Sequence, residues 1–139
     1  MSRERYLVDK SALARWPKPP VAAVLDELSG RGLLAVCGAV ELEVIHSART
    51  AGDAQRARDL LRGFDRLVTP DEVWDRAAEV QIQAVHRGYH RALSMAYLLI
   101  AATAERASAT VLHYDVDYDM IAAITEQPTA WVVPAGTAD

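Results

Sequence analysis

A run of β-branched and apolar residues from Thr110 to His113 leads directly into three alternating carboxylates, Asp115, Asp117 and Asp119. Nothing else in the chain constrains the fold as strongly. Such a run has the composition of a buried strand, and its trailing acids would be delivered to the carboxyl edge of the sheet, where open α/β sheets bind ligands. Acids crowded in this way repel one another, which raises their pKa values unless a cation or a hydrogen-bond donor holds them ionised. A hard divalent ion such as magnesium suits oxygen ligands and commonly takes one or two carboxylates. The structural alternative is that the acids favour the positive end of a following helix, Tyr118 to Thr125. Both readings stand on these residues alone.

Two other motifs share this spacing. Asp115, Asp117, Asp119 and Glu126 occupy the first, third, fifth and twelfth places of an EF-hand loop. However, Met120 stands where that loop needs a glycine for its sharp turn, and the segment before it reads as strand rather than helix. The Asp115-Val116-Asp117 pair also resembles that of the haloacid-dehalogenase phosphatases, which carry it on their first strand with much more chain to follow. Here it lies near the end of 139 residues.

That length suits one domain, expected over residues 1–134, able to bury a core without disulfides. The single Cys37 cannot form an internal bridge and lies in an apolar run, as an inert core thiol would. The amino terminus, Met1 to Arg5, lacks the apolar core of a signal peptide, so a cytoplasmic protein is expected. The longest nearly apolar stretch, Ala92 to Ala104, is too short to span a bilayer. A net charge of −4 argues against a broadly basic, nucleic-acid-coating surface, but not against a local basic rim.

The remaining chain alternates strand and helix signals. Tyr6 to Asp9 reads as a short strand ending in an acid, with Ser11 two residues on, able to cap a helix or orient Asp9. Prolines 17, 19 and 20 interrupt the pattern before a helix over Val21 to Leu28. Leu33 to Cys37 is a continuous apolar run, as in a parallel strand covered on both faces. The next helix, Ala39 to Arg49, carries Glu41 and Glu43; residues two apart on a helix point to nearly opposite sides, so at most one can face a shared pocket. Asp53 to Phe64 reads as a helix with Ala57, Leu60, Leu61 and Phe64 inward. Its arginines, Arg56, Arg58 and Arg62, with Arg49 and Arg66, read as a solvated face or as phosphate contacts. Leu67-Val68 is a short strand; Thr69-Pro70-Asp71-Glu72 predicts a capping box opening a helix that Gly88 ends. Ser94 caps a helix, Met95 to Arg106, that is apolar almost all round and therefore central. Trp131 to Val133 reads as an edge strand, and residues 135–139 as a disordered tail. The sum is a three-layer α/β/α fold around a central, mostly parallel sheet of four or five strands.

The order of acids, Asp9, then Glu41 or Glu43, then Asp115 and Asp117, resembles that of a PIN domain, and more narrowly the VapC toxin ribonucleases of VapBC toxin–antitoxin modules. The pieces that carry the likeness are Leu7 to Leu13, Glu43 to Arg49, Leu98 to Ala102 and Val111 to Asp119. The resemblance implies that Asp9, Glu43 and Asp115 are catalytic and, with Asp117, bind Mg2+ or Mn2+. It selects Glu43 over Glu41 because the family's glutamate is followed by two apolar residues, a variable one and a small one. Ser11 matches a small hydroxyl residue that supports the site. It further implies hydrolysis of phosphodiester bonds in structured RNA such as transfer RNA, a VapB-type antitoxin as partner, and a homodimer. One position departs: where the family places an aspartate before the Leu-Leu-Ile-Ala-Ala run, this chain has Tyr97. A phenol, with its pKa near about 10, is neutral at pH 7 and a poor magnesium ligand. The expected activity is therefore weakened or absent.

Overall fold

The structure, a computed structural model, describes residues 4–139; the reading of Met1 to Arg5 falls mostly outside them. Five strands, β1 (Tyr6–Val8), β2 (Leu34–Cys37), β3 (Asp65–Leu67), β4 (Thr110–His113) and β5 (Thr129–Trp131), form one parallel sheet in the order β3-β2-β1-β4-β5. Among the described residues seven α-helices connect and cover them: α1 (Lys10–Leu13), α2 (Pro19–Gly30), α3 (Gly38–His46), α4 (Ala51–Leu61), α5 (Asp71–His86), α6 (Met95–Arg106) and α7 (Asp117–Thr125). The chain lays β2 and β3 on one side of β1 and then crosses to lay β4 on the other. The strand order therefore reverses between β1 and β4, and the crevice at their carboxyl ends is the place where such sheets bind ligands.

Alternation along the strands divides the core in two. Leu7, Ala35 and Val111 pack under α3, α5, α6 and α7, against Val40, Ala77, Ile100 and Ile121. Val8, Leu34 and Leu112 face α1 and α2, against Ala12, Val21, Leu25 and Leu28. A fully buried Leu or Ile stabilises by about 2 kcal/mol, so these two layers supply most of what opposes chain entropy. Leu98 through Ala104 of α6 are all buried, as a helix apolar on every side requires. Among the described residues no helix is long and apolar enough to cross a membrane.

Several boundaries differ from the sequence expectations. Pro19 and Pro20 do not interrupt α2 but occupy its first turn, where a missing N–H costs nothing. Thr50 caps α4, accepting from the Asp53 N–H at 3.0 Å, which starts that helix earlier than expected; it ends at Leu61, with Arg62 as its C-terminal cap. Leu60, expected to face inward, is 59% exposed. Pro70, not Thr69, is the cap of α5, and no capping box forms; the Thr69 hydroxyl lies 3.2 Å from that of Thr103 instead. The last strand is Thr129–Trp131, with Val132 and Val133 buried beyond it.

Residues 135–139 are not a disordered tail. Ala138 is buried beside Val132 and Val133, and the N–H groups of Gly136 and Ala138 donate to the Tyr114 hydroxyl at 2.8 and 3.0 Å. A polar, small-residue composition suggested disorder; one buried methyl and a ring of hydrogen bonds around a phenol outweigh it.

Candidate active site

Asp9 follows β1 and Asp115 follows β4, so the parallel pairing of those strands brings two residues 106 positions apart to the same edge of the sheet. The Asp9 N–H donates to the Leu112 carbonyl at 2.9 Å, continuing the ladder one residue past β1. Asp9 is buried, and both of its oxygens are engaged. Oδ2 accepts from the Ser11 N–H at 2.9 Å and the Ser11 hydroxyl at 2.6 Å, while Oδ1 accepts from the Tyr118 hydroxyl at 2.7 Å. Ser11 Oγ in turn accepts from the Tyr114 N–H at 2.9 Å, so one hydroxyl ties the first acid to the strand that carries the last. Ser11 therefore orients Asp9, and it is Asp9 that caps α1.

Asp115 accepts from the Asp117 N–H at 3.0 Å through Oδ1, and from the Tyr97 hydroxyl through Oδ2. The Tyr97 ring meets the Tyr118 ring edge to face, with centroids 5.3 Å apart. Two phenols thus stand where cationic charge would otherwise relieve the acids. Burial, then the hydrogen bond to Asp115, raises the Tyr97 pKa, and burial followed by the Asp9 charge raises that of Tyr118 well above its ordinary value. Both remain neutral donors at pH 7. Asp117, half-buried, is also pushed up, by desolvation and then by the charge of Asp115.

The two glutamates of α3 separate as helix geometry requires. Glu43 lines one cavity, of about 290 Å³, together with Asp9, Ser11, Tyr97, Tyr114 and Asp115. Its carboxylate makes no hydrogen bond or ion pair among the described residues. Glu41 is buried on the other side, against Arg66 at 2.9 Å and Arg58 at 3.5 Å. Asp117 does not line the cavity; its contact with the site runs through its own N–H to Asp115.

In donor chemistry these carboxylates suit a hard divalent ion. In arrangement they do not: among the described residues no three acidic, histidine or cysteine side chains stand close enough to share one ion. Ser11 and Tyr118 take the oxygens of Asp9, and Tyr97 takes one of Asp115. Sequence reading placed Tyr97 at the site but missed Tyr118, Lys10, Arg15 and Tyr114. Tyr118 read only as the first residue of a helix; its burial against His113, with ring centroids 4.9 Å apart, depends on the sheet being formed.

Acids delivered to the switch point of a parallel five-stranded sheet are the layout of one nuclease class, and the chain belongs to the PIN-domain family, whose profile matches residues 6–124. Its relatives include ribonuclease VapC21 of Mycobacterium tuberculosis, 46% identical over 135 residues, covering 96% of this chain and 98% of the relative. Ribonuclease VapC18 of the same organism is 39% identical over 134 residues, covering 95% and 98%. Of solved structures, the DNA-bound VapBC from Salmonella typhimurium aligns with a TM-score of 0.75 at 10% identity, over 94% of this chain and all of that one. A toxin–antitoxin complex from Klebsiella pneumoniae aligns at 0.69 and 15%, over 92% and 98%. At such identities the structures speak to the fold, which is the three-layer arrangement expected.

Proposed function

We propose that this chain is a VapC-type endoribonuclease of a toxin–antitoxin pair, acting on phosphodiester bonds of structured RNA, and that Tyr97 holds its acid pocket in a weakened or inactive state. One observation carries the reading: acids from three distant segments, Asp9, Glu43 and Asp115, line a single cavity, with a phenol hydrogen-bonded to one of them. Mg2+ or Mn2+ at Asp9, Glu43 and Asp115, with Asp117 beside them, belongs to the intact form of such a site, where it would supply an activated water and offset charge on the phosphate; as arranged here, with Ser11, Tyr118 and Tyr97 on their oxygens, the acids do not hold it. In this chain Ser11 and Tyr118 fix Asp9, and Tyr97 replaces a negative charge with a neutral donor.

A second reading has its own support. An apolar groove of about 460 Å³, lined by Leu13, Trp16, Val44 and the exposed Leu60, runs beside the acid pocket and would accept an amphipathic antitoxin helix whether or not the nuclease works. A binding-only partner and a weakened enzyme share this groove. Exposed Leu42, Trp74 and Met95 around a neighbouring cavity favour a homodimer.

Reverting the departure separates the two readings. Tyr97→Asp should raise manganese-dependent RNA cleavage at least about a hundred-fold, the scale on which one electrostatic group acts in a site of this kind, and should slow growth when expressed alone. Manganese binding measured by calorimetry should appear with it. A folded revertant that neither cleaves RNA nor binds manganese at millimolar concentration would sink the nuclease reading and leave the binding partner.

A further inference from the structure

The acid cavity has a cationic wall that the family likeness does not account for. Lys10 and Arg15 line it, and among the described residues neither forms an ion pair. Arg15 is fixed by three separate contacts. Its Nη1 donates to the Ser11 carbonyl at 2.8 Å, its Nε donates to the Ala138 carbonyl at 3.0 Å, and its guanidinium carbon lies 4.4 Å from the centroid of the Tyr114 ring. Tyr114 is itself clamped by the chain's last residues, accepting from Gly136 and Ala138 and donating to Asp139 Oδ1 at 2.7 Å. Gly136, with φ of 86°, makes the turn that lets the N–H groups of Gly136 and Ala138 point at one oxygen while that of Thr137 donates to the Pro134 carbonyl.

An arginine side chain carries about 2 kcal/mol of rotamer entropy that binding would normally cost, and here the fold has already spent it. Carbonyl oxygens and a ring face orient the guanidinium without cancelling its charge, and Nη2 makes no hydrogen bond among the described residues. A cation held rigidly at the edge of a cavity full of acids attracts an anion that those acids would repel. The forked geometry of guanidinium suits a phosphodiester.

We propose that Arg15 is the phosphate seat of this cavity, taking a backbone phosphate of the RNA, and that residues 136–139 are the strap that sets its guanidinium. The identity of the ligand rests on the ribonuclease reading; the seat itself rests on the Arg15 contacts. Lys10 adds charge to the same wall, but no contact fixes it.

The test is equilibrium binding of the full chain to a fluorescein-labelled, mixed-sequence single-stranded RNA, without divalent ions, across a range of potassium chloride. Arg15→Ala should weaken binding about tenfold at low salt and reduce the slope of log affinity against log salt by about 0.7, the loss of one phosphate contact. Arg15→Lys should keep the slope and bind more weakly than wild type. Tyr114→Phe keeps the ring under Arg15 but releases the strap, so it should keep the slope and lose less affinity than Arg15→Ala. An arginine that merely clips the tail in place would lower the melting temperature of Arg15→Ala and leave its slope unchanged, which overturns the proposal while sparing the ribonuclease reading. If Arg15→Ala does not fold, wild-type affinity in both Arg15→Lys and Tyr114→Phe overturns it equally. A wild-type chain with no salt-dependent RNA affinity overturns the phosphate seat, while the ribonuclease reading stands or falls on the Tyr97→Asp revertant.

Discussion

Glu41 and Glu43 share a helix and a residue type, yet the fold treats their charges in opposite ways. The side chain of Glu41 is 10% exposed and enclosed by Arg58, Arg62 and Arg66, at 3.5, 3.8 and 2.9 Å. Glu43 shares a cavity with Asp9 and Asp115, and among the described residues its carboxylate has no partner. One side of α3 is a closed electrostatic account among protein groups, tying α4 and β3 to α3. The other side gathers like charges and hydrogen-bonds them to neutral donors: the hydroxyls of Ser11, Tyr97 and Tyr118 and the N–H groups of Ser11 and Asp117. A fold that keeps repulsion on one side of a helix and removes it on the other is organised for a ligand at the first and for stability at the second.

The comparison breaks most readily at Glu41. Removing one member of a buried ion pair costs about 3–5 kcal/mol, but these arginines are roughly half exposed and water screens much of that loss. Glu41→Gln should therefore destabilise by about 2 kcal/mol in urea unfolding, with the loss shrinking as salt rises. Glu43→Gln, which removes an unpartnered charge, should change stability by less than about 0.5 kcal/mol. Equal losses at the two positions would mean that the pocket side of α3 is as structurally committed as the arginine side, and the contrast would fail.

Tyr97 sharpens it from the pocket side. Its hydroxyl is the donor that stands in for a cation on Asp115, so Tyr97→Phe leaves a carboxylate oxygen unpaired while keeping the ring against Tyr118. A hydrogen bond to a charged acceptor is worth about 1.5–3 kcal/mol when buried. Asp115 is half-buried and water can replace the lost donor, so about 1 kcal/mol is expected in the same urea experiment. A loss as large as that of Glu41→Gln would make Tyr97 a structural lock rather than a filler of the acid position.

The sequence carries the sheet well and the pocket's walls poorly, for physical reasons visible at single residues. Leu33 to Cys37 and Thr110 to His113 declare buried parallel strands because burial on both faces admits only apolar side chains. Asp9 and Asp115 follow from strand ends. Glu43 over Glu41 does not: periodicity says only that they diverge, and it is the family likeness that selects Glu43. Arg15, Tyr114 and the strap at 136–139 left no trace at all in periodicity or motif. Their contacts join positions up to 123 residues apart, and a short run of Pro, Gly, Thr and Ala has the composition of a loose end until a phenol from β4's exit is set beneath it. Thr69 failed for a related reason, since a local capping box competed with a tertiary contact to Thr103 and lost.

The smallest expected effect lies at Asp117, and it has a sign that the arginine side cannot mimic. Desolvation, then the charge of Asp115, raises its pKa on folding, so the folded state holds that proton more tightly than the unfolded chain does. The stability this group contributes is therefore present at low pH and is lost as pH rises through the folded value. Asp117→Asn removes the titration. It should match wild type below the ordinary aspartate pKa of about 3.9, gain relative stability as pH climbs past it, and hold a constant small advantage, within about 0.5 kcal/mol, at neutral pH. An acid held by a counter-ion behaves in the reverse sense, its contribution appearing as pH rises. Thermal melts of both proteins across that range, at fixed salt, read the difference directly; a variant that falls below wild type as pH rises would mean that Asp117 is paired, and that the pocket side of the molecule is already neutralised by the protein itself.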